Sequence, residues 1–439
     1  MESGHVRFTK EMKKTHTILI PNMAPVQFTL LQAALEKEGY RTEVLGNCGS
    51  QVAQLGLKYV HNDTCYPALL VIGQFLDALN SGKYDLDHTA LLITQTGGGC
   101  RASNYIHLLR KALARAGYGH IPVASLNFSG LEKDSGFQMT LPMLKMALAA
   151  IIYGDLLMAL HNQTAPYELE AGAAARLTDQ WLARLYEDFL QGRNTGAGAM
   201  KKLFPAIAAD FAAIPVKRVP KVKVGVVGEI YVKYSPLGNN RLEEFLASEG
   251  CEVNLPGLLG FVQYCISNTG DTVRFYGGSK AAVWGSEALL KYIDGIERAA
   301  GAAMKAAGYH APAPFLELRE MANGIISRGN KMGEGWLLTA EMVELVTSGY
   351  ENIVCAQPFG CLPNHICGKG VISRIRAIYP QANITPIDYD PSATPVNQEN
   401  RIKLMLSVGK ERLEEAAAPA APALAEPVTA GEKAVPAYL

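Results

Sequence analysis

The chain has 439 residues, enough for two or three domains and a large core. Lys plus Arg and Asp plus Glu both number 41, so the formal net charge is zero; neither nucleic acid nor a membrane surface is an expected partner. Eight cysteines are scattered along a chain whose polar first residues carry no secretory signal. The expected compartment is therefore the cytoplasm, where metal ligation, redox chemistry or plain burial are better readings than a disulfide framework.

Residues 1–15 read as a loose leader. The apolar run 16–21 predicts a buried strand, followed by a helix over 25–38 and a strand over 41–45. Pro67 leads into a helix over 69–79; a strand over 89–93, a helix over 104–116 and a strand over 121–126 follow. Such alternation argues for a parallel sheet covered on both faces. The most apolar stretch, 141–160, is interrupted by Lys145 and Asp155 and reads as a buried helix rather than a membrane span. Helical patterning continues to about residue 218 and includes an amphipathic stretch over 173–191.

Val222 to Val227 restart the α/β pattern, with a loop over 228–239, a helix over 240–248 and a strand over 251–255. This order parallels residues 15–45, so two related units are expected. Residues 256–330 read as mostly helical. Strands over 352–356 and 383–387 alternate with helices over 368–378 and 397–410. The tail from Glu414 is rich in Ala, Pro and Glu and lacks the large apolar residues that offset ordering entropy; disorder is expected there. The expected fold class is α/β, with two parallel-sheet, Rossmann-like domains over 16–165 and 219–413 and a helical connector over 166–218.

Three cysteines stand just ahead of a predicted helix. They are Cys65 in Asp63-Thr64-Cys65-Tyr66-Pro67, Cys100 in Gln95-Thr96-Gly97-Gly98-Gly99-Cys100-Arg101, and Cys361 in Gln357-Pro358-Phe359-Gly360-Cys361-Leu362-Pro363. Open α/β sheets bind ligands beyond the carboxyl ends of their strands, where Cys100 and Cys361 are placed. Helix N-termini offer free N–H groups and partial positive charge, which favour a thiolate. Gly97, Gly98 and Gly99 leave backbone N–H groups free to approach cluster sulfurs closely. Against this stands the ordinary fate of a free cysteine, inert burial. The tight Cys-x-x-Cys runs of ferredoxins are absent, so the residues alone leave both readings open.

Of the other cysteines, Cys251 and Cys355 read as structural and Cys265 as buried. Cys48 and Cys367 are weaker candidates for additional ligands. The Gly-rich loop lacks the Gly-Lys-Ser/Thr ending of a phosphate loop, and no GxGxxG follows the first strand, so ATP and NAD binding are not expected. Arg101 is a candidate contact to an anionic ligand, against a solvated role. His365 is a candidate proton donor, against a capping or core histidine. Glu229 and Asn239 occupy the loop after the second unit's first strand, a site position by the strand-end rule. A Cys-His hydrolase lacks any motif orienting a base to its nucleophile.

Four stretches are longer and more specific. They are Tyr59-Val60-His61-Asn62-Asp63-Thr64-Cys65-Tyr66-Pro67-Ala68, Gln95 to Tyr105 around the Gly-Gly-Gly-Cys loop, Gln357 to His365, and Ile387-Asp388-Tyr389-Asp390-Pro391. In these the chain, over residues 15–410, resembles the 2-hydroxyacyl-CoA dehydratase-like family, related to 2-hydroxyglutaryl-CoA dehydratase. It is most similar to the C-terminal region of the CoA-substrate-specific enzyme activases. The resemblance implies α/β domains with an iron–sulfur cluster between them, held by three cysteines that map to Cys65, Cys100 and Cys361. It implies a [4Fe–4S] cluster, with a double-cubane [8Fe–9S] cluster in a related branch that reduces small molecules.

The resemblance also implies a partner, an ATP-hydrolysing iron–sulfur activator that delivers one low-potential electron under anaerobic conditions. Dehydratases of this kind, which are lyases, use the electron to form a ketyl radical from a 2-hydroxyacyl-CoA so that water can leave. A homodimer or a homologous second subunit is the implied assembly. The large activases begin with ATP-binding modules that this sequence lacks, so the expectation is an acceptor module served by an activator in trans. An acyl-CoA is the implied substrate, although no CoA-binding signature stands out. A non-catalytic electron relay and a metal-free α/β ligand-binding protein are the alternatives.

Overall fold

The computed structural model describes residues 6–61, 64–95, 99–127 and 136–417. The first unit runs α1 (Met12–Thr15), β1 (Thr17–Ile20), α2 (Pro25–Lys37), β2 (Arg41–Val44), α3 (Ser50–Tyr59), α4 (Tyr66–Asn80), β3 (Thr89–Gln95), α5 (Tyr105–Ala116) and β4 (Val123–Asn127). Three long helices follow: α6 (Leu141–Thr164), α7 (Ala173–Leu190) and α8 (Ala197–Ala212). The second unit opens with β5 (Lys223–Gly228), α9 (Ile230–Tyr234), α10 (Leu242–Ser248) and β6 (Glu252–Asn254). It continues through α11 (Leu258–Tyr276), α12 (Lys280–Ala306), α13 (Phe315–Met321) and α14 (Trp336–Thr347). It closes with β7 (Asn352–Pro358), α15 (Leu362–Cys367), α16 (Ile372–Ile378), β8 (Asn383–Tyr389) and α17 (Pro395–Ala417).

Each unit is built on a four-stranded parallel sheet, in the orders β2-β1-β3-β4 and β6-β5-β7-β8. Register is set by apolar runs: Thr17 pairs with both Arg41 and Thr89, and Val224 with both Val253 and Asn352. The two orders are the same, so each sheet reverses its direction of winding between its first and third strands. That reversal leaves a crevice at the carboxyl ends of those strands. The fold is thus α/β with two Rossmann-like parallel sheets, as the alternating pattern predicts.

By length and composition α6 could cross a membrane, since its most apolar window has a mean hydropathy of 1.8. In the fold 67% of that window is buried, and α6 packs against α2, α7 and α8. Glycines let two other helices touch. A Cβ on Gly73 of α4 would lie 2.0 Å from the Val52 carbonyl oxygen of α3, and one on Gly56 of α3 would lie 2.2 Å from that of Leu69. Only residues without a side chain permit such an approach.

Four expectations differ from the fold. Residues 6–15 are not a loose leader: Phe8 is buried under the first sheet and Arg7 pairs in parallel with Val123. The helix expected over 368–378 is broken at Gly368, which ends α15; a 3-10 turn, Lys369–Val371, then leads into α16. The sequence reading gives no helix at the positions of α3, α9 and α14. The last helix reaches Ala417, three residues past the predicted start of the tail, and residues 418–439 lie outside the described residues.

Candidate functional site

Cys65, Cys100 and Cys361 occupy one structural position three times. Each is the N-cap of a helical segment: Cys65 of α4, Cys100 of the 3-10 turn Arg101–Asn104 that runs into α5, and Cys361 of α15. Pro67 and Pro363 fill first-turn positions, where a missing N–H costs nothing. None of the three thiols spends itself on a capping hydrogen bond. All three line a single cavity of about 460 Å³ formed by both units. Cys100 follows the third strand of the first sheet and Cys361 the third strand of the second, so they occupy matching loops. Glu334 precedes α14 much as Cys65 precedes α4, each helix leading into its unit's third strand.

The cavity walls are polar where they meet the thiols. Cys65 Sγ lies 2.7 Å from the Tyr105 hydroxyl. Asn364, fully buried, donates from Nδ2 to Cys361 Sγ at 3.4 Å and to Glu334 Oε2 at 3.3 Å. Glu229 caps α9 by accepting from the Val232 N–H at 2.9 Å, and Glu334 accepts from the Ile230 N–H at 2.9 Å. Two carboxylates therefore fix the start of α9 and both face the cavity. Gly99 lines the mouth, with its N–H 3.2 Å from Met332 Sδ of the other unit. Gly360 adopts φ 75°, a left-handed turn that favours glycine, immediately before Cys361.

Electrostatics here run against the expectation that helix N-termini lower the thiol pKa. Burial raises Cys65, and burial with the negative charge of Glu334 and Glu229 pushes Cys100 up to about 11. Cys361 is raised further by the same causes. The backbone N–H groups of Ala68, Ala102 and Asn364 pull the other way but are outweighed. Burial, then Glu334, lifts Glu229 to about 8, and burial raises Glu334 as well. Burial thus favours the neutral forms of these thiols and carboxyl groups. A metal reverses the balance by deprotonating a coordinating thiol outright.

The residues present fit an iron–sulfur cluster in donor chemistry: three soft sulfur donors, two of them buried, on one cavity. Among the described residues, no three His, Cys, Asp or Glu side chains gather closely enough for a single metal ion. A cluster asks for a different arrangement, because its thiolates bind separate irons.

Other expected residues divide cleanly. Arg101 and Glu229 line the cavity, whereas His365, Cys48 and Cys367 do not. His365 lies on α15, its N–H bonded to the Cys361 carbonyl. Cys48 is exposed, and Cys367 is buried. Asn239 is structural, accepting from the Leu242 N–H at the start of α10. Gly97 and Gly98 lie outside the described residues. Cys251 and Cys355 are buried in the core, as expected.

Cys265 is not buried as expected: it is exposed and lines the cavity from α11. Its signal is helical spacing, since Phe261, Tyr264, Cys265 and Asn268 all line the cavity at i, i+3, i+4 and i+7. Glu334 is a second unforeseen wall residue, with no sequence signal beyond its place before a helix. A larger cleft of about 620 Å³, bordered by α2, α6, α7 and α10, holds Cys251 alone of the cysteines. The thiol chemistry therefore belongs to the smaller cavity. No protein-family model and no curated protein matches the chain.

Proposed function

We propose that the chain is an iron–sulfur protein, the electron-accepting component of an ATP-activated 2-hydroxyacyl-CoA dehydratase-like or reductase system in the cytoplasm. A separate ATP-hydrolysing activator would be its electron donor. The observation that supports this reading is the meeting of Cys65, Cys100 and Cys361, from three separate segments and two sheets, on one cavity. When bound, the cluster would supply one-electron transfer at low potential.

The chain's own residues have defined tasks in this reading. Cys65, Cys100 and Cys361 give up their protons and act as thiolate ligands. Tyr105 and Asn364 donate hydrogen bonds to two of those sulfurs. Glu229 and Glu334, too buried to carry two charges at low cost, hold a proton at the cavity wall. An acyl-CoA is the substrate class that the resemblance implies.

Iron and acid-labile sulfide counted on anaerobically purified protein test the reading. Comparable amounts of each are expected, and each of Cys65→Ser, Cys100→Ser and Cys361→Ser should lose most of the iron. Cys48→Ser, at an exposed position away from the cavity, should keep it. Folded protein that holds no iron under these conditions would refute the proposal.

A further inference from the structure

The stripe that α11 turns toward the candidate cavity carries two polar side chains, Tyr264 and Asn268, one turn apart. Tyr264 is 1% exposed, yet its hydroxyl makes no hydrogen bond among the described residues. Asn268 Oδ1 is also buried and without a partner among them. Buried polar atoms nearly always find a partner, so two such atoms on one cavity wall are a binding feature rather than a packing one. The phenol is held firmly by its neighbours. Its ring stacks on Phe261 at 5.9 Å and meets Trp336 edge-on at 5.1 Å. A Cβ at Gly335 would lie 2.5 Å from the hydroxyl oxygen, so the phenol ends against the loop 331–335. Lys331, Met332, Gly333 and Glu334 of that loop line the same cavity. Burial raises the phenol and outweighs the neighbouring Asn268, so the hydroxyl keeps its proton and can donate.

We infer that Tyr264 and Asn268 together hold a hydroxyl group of the cavity's ligand, an inference that rests on the reading above for the rest of that ligand. The phenol O–H donates to the ligand oxygen, and Asn268 Oδ1 accepts from the ligand's own O–H. Only a group that accepts and donates at one oxygen satisfies both, and an alcohol does so. A thioester carbonyl or a carboxylate accepts but has no hydrogen to give, so it would leave Asn268 Oδ1 unpaired. Phe261, on the same stripe, offers an apolar surface to the carbon chain that carries the hydroxyl. Neither Tyr264 nor Asn268 competes with Cys65, Cys100 or Cys361 for iron, so the pair adds selectivity to the three-cysteine site without closing it.

The test is anaerobic isothermal titration calorimetry with 2-hydroxybutyryl-CoA and butyryl-CoA, which differ only in the hydroxyl. Iron-loaded wild type, Tyr264→Phe and Asn268→Leu are compared. Wild type should bind the hydroxy thioester about tenfold or more tightly than butyryl-CoA, the worth of one buried hydrogen bond. Tyr264→Phe keeps the ring that packs on Phe261 and Trp336, and Asn268→Leu keeps the side-chain size. Each should weaken the hydroxy thioester about tenfold and leave butyryl-CoA within about twofold. A merely structural role would shift both thioesters together, and that result would overturn the inference. So would a wild type that binds the two alike or binds neither. Unchanged affinity in Tyr264→Phe would overturn it too, since phenol and amide would then serve only each other. Circular dichroism reports folding, and should Tyr264→Phe not fold, the wild-type preference and Asn268→Leu decide. Iron counted on the same samples separates the two levels. These failures with full iron sink this inference and leave the three-cysteine cluster, whereas folded wild type without iron removes the reading on which it rests.

Discussion

Tyr105 and Cys65 are 2.7 Å apart, and either atom can donate while the cysteine carries its proton. In the proposed cluster-loaded form Cys65 would be a thiolate with no proton to give, so the phenol would donate. Hydrogen bonds to cluster sulfurs favour the reduced, more negative state and raise the potential. Tyr105→Phe removes this donor and keeps the ring, so it should lower the midpoint potential. For a one-electron couple the shift is about 59 mV for each tenfold change in equilibrium, or roughly 1.4 kcal/mol of bond strength gained on reduction. Asn364 should matter less to the potential, because its bond to Cys361 is longer and its amide also serves Glu334. A redox titration followed by electron paramagnetic resonance measures both. Equal potentials in wild type and Tyr105→Phe would mean that the phenol does not tune the sulfur.

The position of Cys65 depends on α4, and α4 depends on α3. Gly73 and Gly56 bring the two helices to a separation at which a Cβ would meet a carbonyl oxygen at 2.0 and 2.2 Å. Gly73→Ala should therefore cost about 1–3 kcal/mol of stability by overpacking. Because the helices must separate, it should also weaken iron retention at Cys65. Urea unfolding and iron content report the two effects, and a variant unchanged in both would show that the contact relaxes freely. This pair also illustrates what a sequence hides. Helix α4 is legible because Pro67 precedes a long apolar run. Helix α3 buries only Val52 and Gly56, and an interior glycine costs a helix about 1 kcal/mol relative to alanine, so its partner makes it a helix. At five residues, α9 is too short to carry a periodicity and is held by Glu229 and Glu334. The strands and the three N-cap cysteines are legible because apolar runs, glycines and prolines mark their ends. Cys265 is not, because the same spacing suits a face packed on a core and a face lining a cavity.

At the scale of the whole molecule, buried carboxylates hold helices together, one tying α6 to the second unit and two acting within that unit. Asp155 of α6 accepts from the N–H groups of Leu258 and Leu259, the first turn of α11, and from Gln27 of α2. Glu297 of α12 accepts from the Phe315 N–H at the start of α13, and Glu344 of α14 accepts from that of Ala313. Burial lifts Asp155 to about 6 and Glu297 and Glu344 to about 7, above the usual carboxylate range near 4. Between about pH 4 and 7 the folded chain then holds more protons at these groups than the unfolded chain does. Their contribution to stability is greatest at the acidic end, falls as pH rises through that window and is flat above it. Glu344→Gln isolates one of them, since an amide oxygen can still accept from Ala313 while carrying no charge. His310 Nε2, 4.0 Å from Glu344, is itself biased toward the neutral form by burial and offers little compensation. The variant should match wild type in Tm at about pH 4 and exceed it at about pH 8, as measured by differential scanning calorimetry on protein of equal iron content. Equal Tm values at both pH values would mean that Glu344 titrates alike in the folded and unfolded chains, and that its burial is offset by the bonds it accepts.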